Sequence, residues 1–154
     1  MDGFKFSNLF ARRNANKDRR SKPRQIPRRG TKILVVDDSK TVLYVLKTML
    51  RQSSYLTLDA ESGEEGLRMA RIHQPDLIIM DVVMPGINGF QATRALRKDR
   101  VTADIPIIIM SGSERATEQF WVLRIGANDF LTKPFDRGAV FQKIEQQLLP
   151  GQLA

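Results

Sequence analysis

The sequence predicts an α/β protein of the doubly wound (βα)₅ type, five parallel strands alternating with five helices, and three observations predict it. Beyond Gly30 the chain alternates short apolar runs with amphipathic stretches, the mark of repeated strand–helix units that build a parallel sheet. The runs 33–36, 77–80 and 107–110 are continuously apolar, as interior strands covered by helices on both faces must be. The residues that end or follow successive runs are chemically active: Asp37 and Asp38, Asp81, Ser111 and Lys133. In an open parallel sheet that is the end at which ligands gather.

The elements follow in order. The run 33–36 is the first strand, and Ser39 is a suitable N-cap for the helix after it. Val42, Val45, Leu46, Met49 and Leu50 fall at helical spacing and mark its core face. Leu56, Leu58 and Ala60 alternate with Tyr55, Thr57 and Asp59, which exposes one face and places the second strand at a sheet edge. The helical pattern after Gly63 is weaker, with Leu67 and Ala70 its best core positions. The third strand, 77–80, leads to a helix around Phe90, Thr93 and Leu96, and the fourth strand is 107–110. Ser113 would cap the next helix, which contains Phe120 and Trp121; Phe120 reads as core, and Trp121 either as core or as an exposed partner anchor. Residues 127–131 form a shorter fifth strand, and Asp136 caps a last helix buried through Val140, Ile144 and Leu148.

At 154 residues the chain holds one ordinary domain and a short appendage, not two domains. Without cysteine it has no disulfide framework, thiol nucleophile or cysteine zinc site. No stretch of about 20 apolar residues could span a bilayer. Phe4, Phe6, Leu9 and Phe10 are too interrupted by polar residues for a signal peptide, so a cytoplasmic location is expected. The net charge of +8 is unevenly spread: residues 1–30 carry ten Lys or Arg against Asp2 and Asp18, and the remainder balances fifteen against fifteen. Residues 11–30 have Ile26 as their only sizeable apolar side chain, too little burial to offset the entropy of ordering. The expected organisation is a basic disordered tail at 1–30, a globular domain at 31–149 and a short C-terminal tail at 150–154. Most such charge runs are simply solvated. Arg12, Arg13, Arg19, Arg20, Arg28 and Arg29 could instead meet phosphates of nucleic acid, a nucleotide or anionic lipid, and Phe6, Leu9 and Phe10 have the spacing of a docking helix.

Three carboxylates converging at one end of a sheet repel one another, and a hard divalent cation relieves the repulsion. Mg²⁺ prefers oxygen ligands and keeps several waters, so one or two carboxylates, a carbonyl and a phosphoryl oxygen suit it. Lys133 adds a point charge for an anion, and Ser111 can donate to a further phosphoryl oxygen. Asp81 is then placed to act as the nucleophilic carboxylate of an acyl phosphate. Alone, an Asp-Asp pair before a helix is more often a cap and first-turn charge, and Lys-Pro or Ser-Gly is ordinary turn chemistry. All five in order at successive strand ends are strongly specific. His73 reads as a surface residue, and Met80, Met84 and Met110 read as packing.

With these residues on view, the chain over roughly 31–149 resembles the receiver domains of two-component response regulators, through the segments ILVVDDSKT, LIIMDVVMPGINGF, IIIMSGS and DFLTKPF. The resemblance implies a CheY-like, flavodoxin-like fold with strand order 2-1-3-4-5. It implies Asp81 as phosphoacceptor, Asp37, Asp38 and Asp81 with the Val83 backbone carbonyl as Mg²⁺ ligands, and Ser111 and Lys133 as phosphoryl contacts. It further makes Ser111 and Phe130 the switch pair and Lys133-Pro134 a cis peptide. The segment MDVVMPGINGFQATRAL, with Trp121 ahead of IGANDFLTKP, looks most like the single-domain regulators of type IV pilus twitching systems. Val83 and Ser113 depart from the polar pair that speeds hydrolysis in some relatives. Implied partners are a histidine kinase, chemotaxis-type or hybrid, and a downstream protein; with no output domain after Pro150, signalling would run through protein contact or by draining phosphate from a shared kinase. A haloacid-dehalogenase-like phosphatase is disfavoured, since its Asp-x-Asp motif is missing, and a nucleic-acid protein acting through the tail is disfavoured by the neutral domain.

Overall fold

A computed structural model describes residues 30–112 and 123–149. Its elements run β1 (Lys32–Val36), α1 (Lys40–Gln52), β2 (Leu56–Ala60), α2 (Gly63–His73), β3 (Leu77–Asp81), α3 (Gly89–Lys98), β4 (Ile107–Ser111), β5 (Asp129–Thr132) and α4 (Arg137–Leu148). The five strands form one sheet of order β2-β1-β3-β4-β5 with every pairing parallel, the order the resemblance implies. The expectations for Ser113, Phe120 and Trp121 lie outside the described residues, as do those for residues 1–29 and 150–154.

Strand side chains alternate between faces, and this explains the continuous apolar runs. Ile33, Val35, Leu77, Ile79, Ile108 and Met110 pack on one face with Leu43, Leu46 and Leu50 of α1 and Val140, Phe141 and Ile144 of α4. Leu34, Val36, Ile78, Met80, Ile107 and Ile109 pack on the other with Ala70 of α2 and Ala92 and Leu96 of α3. Covering both faces buries both parities, so no alternation survives in the sequence. Ser39, Ser62, Asn88 and Asp136 cap the four described helices, each side chain accepting from a backbone N–H one turn on.

Three details differ from expectation, and α2 follows it for a reason the structure supplies. The core column of α1 is Leu43, Leu46 and Leu50, whereas Val45 is exposed and Val42 and Met49 only flank the core; leucine at i, i+3 and i+7 sets the inward face. At β2, Tyr55 is buried and Leu56 is 54% exposed, because Tyr55 turns in just before the strand to stack on Phe141, ring centroids 6.4 Å apart. On α2, Ala70 is buried and Leu67 half-buried against the same cluster; the helix lies against the sheet through the small Gly66 and Ala70, which is why its hydrophobic signal is weak. The fifth strand starts at Asp129 rather than 127, since a turn ends at Gly126 and Asn128 is held to Ile107 from outside the strand, its side chain accepting from Ile107 N at 2.8 Å. His73 is exposed, and Met80, Met84 and Met110 are buried.

Candidate functional site

The site is assembled by the ends of β1, β3, β4 and β5. Asp37 extends β1 by one residue, its N–H donating to the Ala60 carbonyl of β2 at 3.1 Å. Its Oδ1 accepts from Ser39 N at 2.8 Å, an Asx turn that reverses the chain into the α1 cap. This leaves Oδ2 of a fully buried carboxylate facing the sheet's mouth. Asp38 is exposed beside it, and Asp81, the last residue of β3, is only 7% exposed. One carboxylate oxygen of each of Asp37, Asp38 and Asp81 lies within 4.8 Å of the others.

Lys133 reaches this cluster from the end of β5. Its backbone N–H donates to the Ser111 carbonyl at 2.7 Å, and the Lys133-Pro134 bond is cis, as expected. The ammonium stands 2.9 Å from Asp37 Oδ2 and 3.2 Å from Asp81 Oδ1, bridging both carboxylates. Burial pushes the Asp81 carboxyl above its ordinary value and the Asp37 and Asp38 charges push it further, while Lys133 pulls it back. Burial works against the Lys133 charge, but its hydrogen bonds and ion pairs with Asp37 and Asp81 outweigh this and hold its pKa above the ordinary lysine value.

The turn after Asp81 is fixed at both ends. Val82 N donates to the Met110 carbonyl at 3.0 Å and Gly89 N to the Val82 carbonyl at 2.8 Å. Gly89, the first residue of α3, comes so close that an added Cβ would lie 2.3 Å from the Asp81 carbonyl oxygen. Between these ends Val83 is 79% exposed while Met84 is buried. Ser111 ends β4 opposite Thr132, and Phe130 pairs in register with Ile109, two residues before Ser111. Phe130 is half-buried, with the Lys143 ammonium 4.8 Å from its ring centroid.

The structure therefore brings Asp37, Asp38, Asp81 and Lys133 into direct proximity, sets Ser111 one strand away at the same edge, and puts Val83 and Phe130 on the adjoining loop and strand. Sequence reasoning missed Gly89, Glu64, whose carboxylate accepts from Ile87 N at 3.0 Å, and Lys143. The Asn88–Gln91 pairing, an Asn with Gln three residues on that forms a capping box, is the sequence signal that could have marked the fixed loop end.

The donor set is all oxygen, three carboxylates with no histidine or cysteine, which suits a hard cation such as Mg²⁺ rather than zinc. A single lysine between two buried carboxylates neutralises one of them, so the cluster retains negative charge for a cation to meet. No helix among the described residues is long and apolar enough to cross a membrane.

The family described as response regulator receiver domain matches residues 33–145. The chain is 46% identical over 117 residues to Protein PilH of Pseudomonas aeruginosa, covering 76% of this chain and 97% of that protein. Among solved structures, the chemotaxis protein CheY4 of Vibrio cholerae superposes with a TM-score of 0.73 at 28% identity, over 78% of this chain and 99% of that one. The receiver domain of a Pseudomonas aeruginosa sensor histidine kinase, solved with a magnesium ion coordinated in its active-site cleft, gives a TM-score of 0.70 at 31% identity over 79% and 98%.

Proposed function

The chain belongs to the response regulator receiver domain family, and from that premise we propose that it takes a phosphoryl group on Asp81 from a histidine kinase and passes the signal on by changing its protein contacts. The observation that carries the reading is the convergence of Asp37, Asp38 and Asp81 within 4.8 Å, with Lys133 bridging two of them.

Asp37, Asp38 and Asp81, with the Val83 backbone carbonyl, are the residues that would hold Mg²⁺. When bound, the cation supplies charge neutralisation to the phosphoryl oxygens and the attacking carboxylate. An Asp81 carboxylate oxygen attacks the phosphorus of a phosphohistidine; the P–N bond breaks and the imidazole leaves with its electron pair. Lys133 already stands beside that carboxylate and offers its ammonium to an incoming phosphoryl oxygen. The buried Asp37 holds Lys133 in this position through Oδ2, and the Ser111 carbonyl fixes the lysine backbone. The Ser111 hydroxyl donates to another phosphoryl oxygen. Phe130, two positions along the β4–β5 register from Ser111, changes rotamer as Ser111 moves, which alters the surface of β5 and its neighbours.

We assign the receiver unit to 31–149 and treat the basic residues 1–30 as an appendage that could meet anionic lipid, nucleotide or nucleic acid. The resemblance to type IV pilus twitching regulators, with the 46% identity to Protein PilH, supports a place in twitching motility or chemotaxis-type control, in the cytoplasm. The input is then a chemotaxis-type or hybrid kinase, and the output either a protein target or withdrawal of phosphate from a kinase that serves a second regulator. Phosphotransfer profiling tests this directly. Radiolabel should pass from one phosphorylated candidate kinase to this chain within seconds in Mg²⁺ and not in chelator; a panel in which none transfers faster than unrelated kinases would overturn the assignment.

A further inference from the structure

We propose that Glu64, on the first turn of α2, is a positioning residue for the loop that follows Asp81 and thereby sets how tightly the acidic cluster takes a divalent cation. This rests on the cation role given to that cluster above.

Three contacts interlock α2 with the loop. The Glu64 carboxylate accepts from Ile87 N at 3.0 Å across 23 residues of chain. Gly86 has φ +79, and an added Cβ there would meet Glu64 Oε1 at 2.5 Å, so the carboxylate lies flat on a backbone only glycine supplies. From the other side, a Cβ on Gly63 would meet Ile87 Cγ1 at 2.6 Å and its carbonyl oxygen at 3.0 Å.

The principal cap of its helix end comes from the neighbours of Glu64. Ser62 caps α2 by accepting from Glu65 N at 3.1 Å, and Glu65 turns back to accept from Glu61 N at 3.2 Å. The Ser62–Glu65 cap is thus complete by itself, and the Glu64 carboxylate, besides accepting from its own backbone N–H, reaches outward to the loop. The hydrogen bond from Ile87 N, and after it one from its own backbone N–H, hold its carboxyl below the ordinary glutamate value.

The loop itself has few other anchors. Val82 and Gly89 pin its two ends to each other and to β4, and Met84 is buried, but Val83, Pro85 and Gly86 are exposed. Glu64 supplies a side-chain hydrogen bond to this limb from another element. A carbonyl ligand on Val83 is preorganised only if its limb is held, and an unheld limb must be ordered by the cation at the expense of affinity.

The test is calorimetric titration of Mg²⁺ into the full chain and into Glu64→Gln, Glu64→Ala and Gly86→Ala. Glutamine keeps an oxygen that accepts from Ile87 N, whereas alanine does not. Loss of one such anchor should raise the Mg²⁺ Kd roughly three- to tenfold in Glu64→Ala, with Gly86→Ala moving in the same direction and Glu64→Gln staying within about twofold. At saturating Mg²⁺ the rate of Asp81 phosphorylation by acetyl phosphate should return to that of the unchanged chain, a split that general unfolding would not give. Equal weakening by Gln and Ala would show that only the field of a distant negative charge matters and would overturn the positioning role. So would an unchanged Kd in Glu64→Ala. Failure of the unchanged chain to bind Mg²⁺ would instead remove the cation reading itself and this inference with it.

Discussion

Replacing Gly89 by alanine sets two effects of opposite sign against each other. Gly89 begins α3, where alanine is the better helix former by up to about 1 kcal/mol and also restricts the unfolded chain. On those grounds the change should stabilise. The added Cβ, however, would lie 2.3 Å from the Asp81 carbonyl oxygen and 3.0 Å from both the Asp81 carbonyl carbon and Val82 Cα. These are backbone atoms at the buried end of a central strand, not the tip of a flexible side chain. Ordinary contact begins at 3.4 Å, so α3 and β3 must separate by about 1 Å, and overpacking of this kind costs about 1–3 kcal/mol. The net expectation is a loss of about 1–2 kcal/mol, read as a lower urea midpoint at unchanged slope. Because the atoms that move carry Asp81, phosphorylation by acetyl phosphate should slow by tenfold or more, given that misplacing a reacting group by about 1 Å can cost about a hundredfold. A variant as stable as the unchanged chain and phosphorylated at its rate would refute the packing argument.

Further expectations follow from the charges and from one arginine. Burial and like charges raise the Asp81 pKa, so the folded state keeps that proton to higher pH than the unfolded chain does, and stability falls as pH rises from the unfolded value through the folded one. Asp81→Asn should therefore stabilise the cation-free protein at neutral pH, with the gain shrinking toward acid; a gain independent of pH would argue for packing instead. Lys133 has the same sign in a different window: its raised pKa contributes stability that is fully present below the unfolded lysine value and is lost only in strong alkali. Lys133→Met leaves Asp37 and Asp81 facing each other unneutralised and should cost about 2 kcal/mol at neutral pH, less than the loss of a fully buried pair because the lysine is 25% exposed. Added Mg²⁺ should recover much of that loss, and no recovery would contradict a shared site. Arg97 donates to the carbonyls of Gly126, Ala103 and Ile105 and to Asn128 Oδ1, tying α3 to the turn before β5. Arg97→Lys keeps the charge but not the fork, and should lower stability by about 2 kcal/mol in urea unfolding.

What the sequence displays depends on whether the signal is local. The interior strands, and the grouping of the five candidate residues at one edge of the sheet, were legible because the burial of β1, β3 and β4 on both faces writes itself as continuous apolar runs and the candidates follow directly at strand ends. The inward face of α1 was misjudged by one column, since Val42 and Val45 match helical spacing as well as Leu43 does until the position of the sheet is known. Tyr55 and Leu56 were exchanged because what buries Tyr55 is Phe141, 86 residues further along. Glu64, Arg97 and Lys143 carried no local mark, because the backbone or ring that each meets is brought to it only by the packed fold; Gly89 meets the nearby Asp81 and Val82 backbone, a close approach that the capping box beside it does not by itself reveal. α2 was faint for a related reason, because close approach to the sheet selects small residues over large apolar ones.

The central claim is that Asp81 accepts a phosphoryl group in a site completed by Mg²⁺. Intact-mass spectrometry after incubation with acetyl phosphate tests it most directly, with and without Mg²⁺, on the unchanged chain and on Asp81→Asn. A single phosphoryl adduct that requires Mg²⁺, maps to Asp81 and is absent from the variant is the predicted result. An adduct that forms equally in chelator, or that persists at the same level in Asp81→Asn, would contradict it.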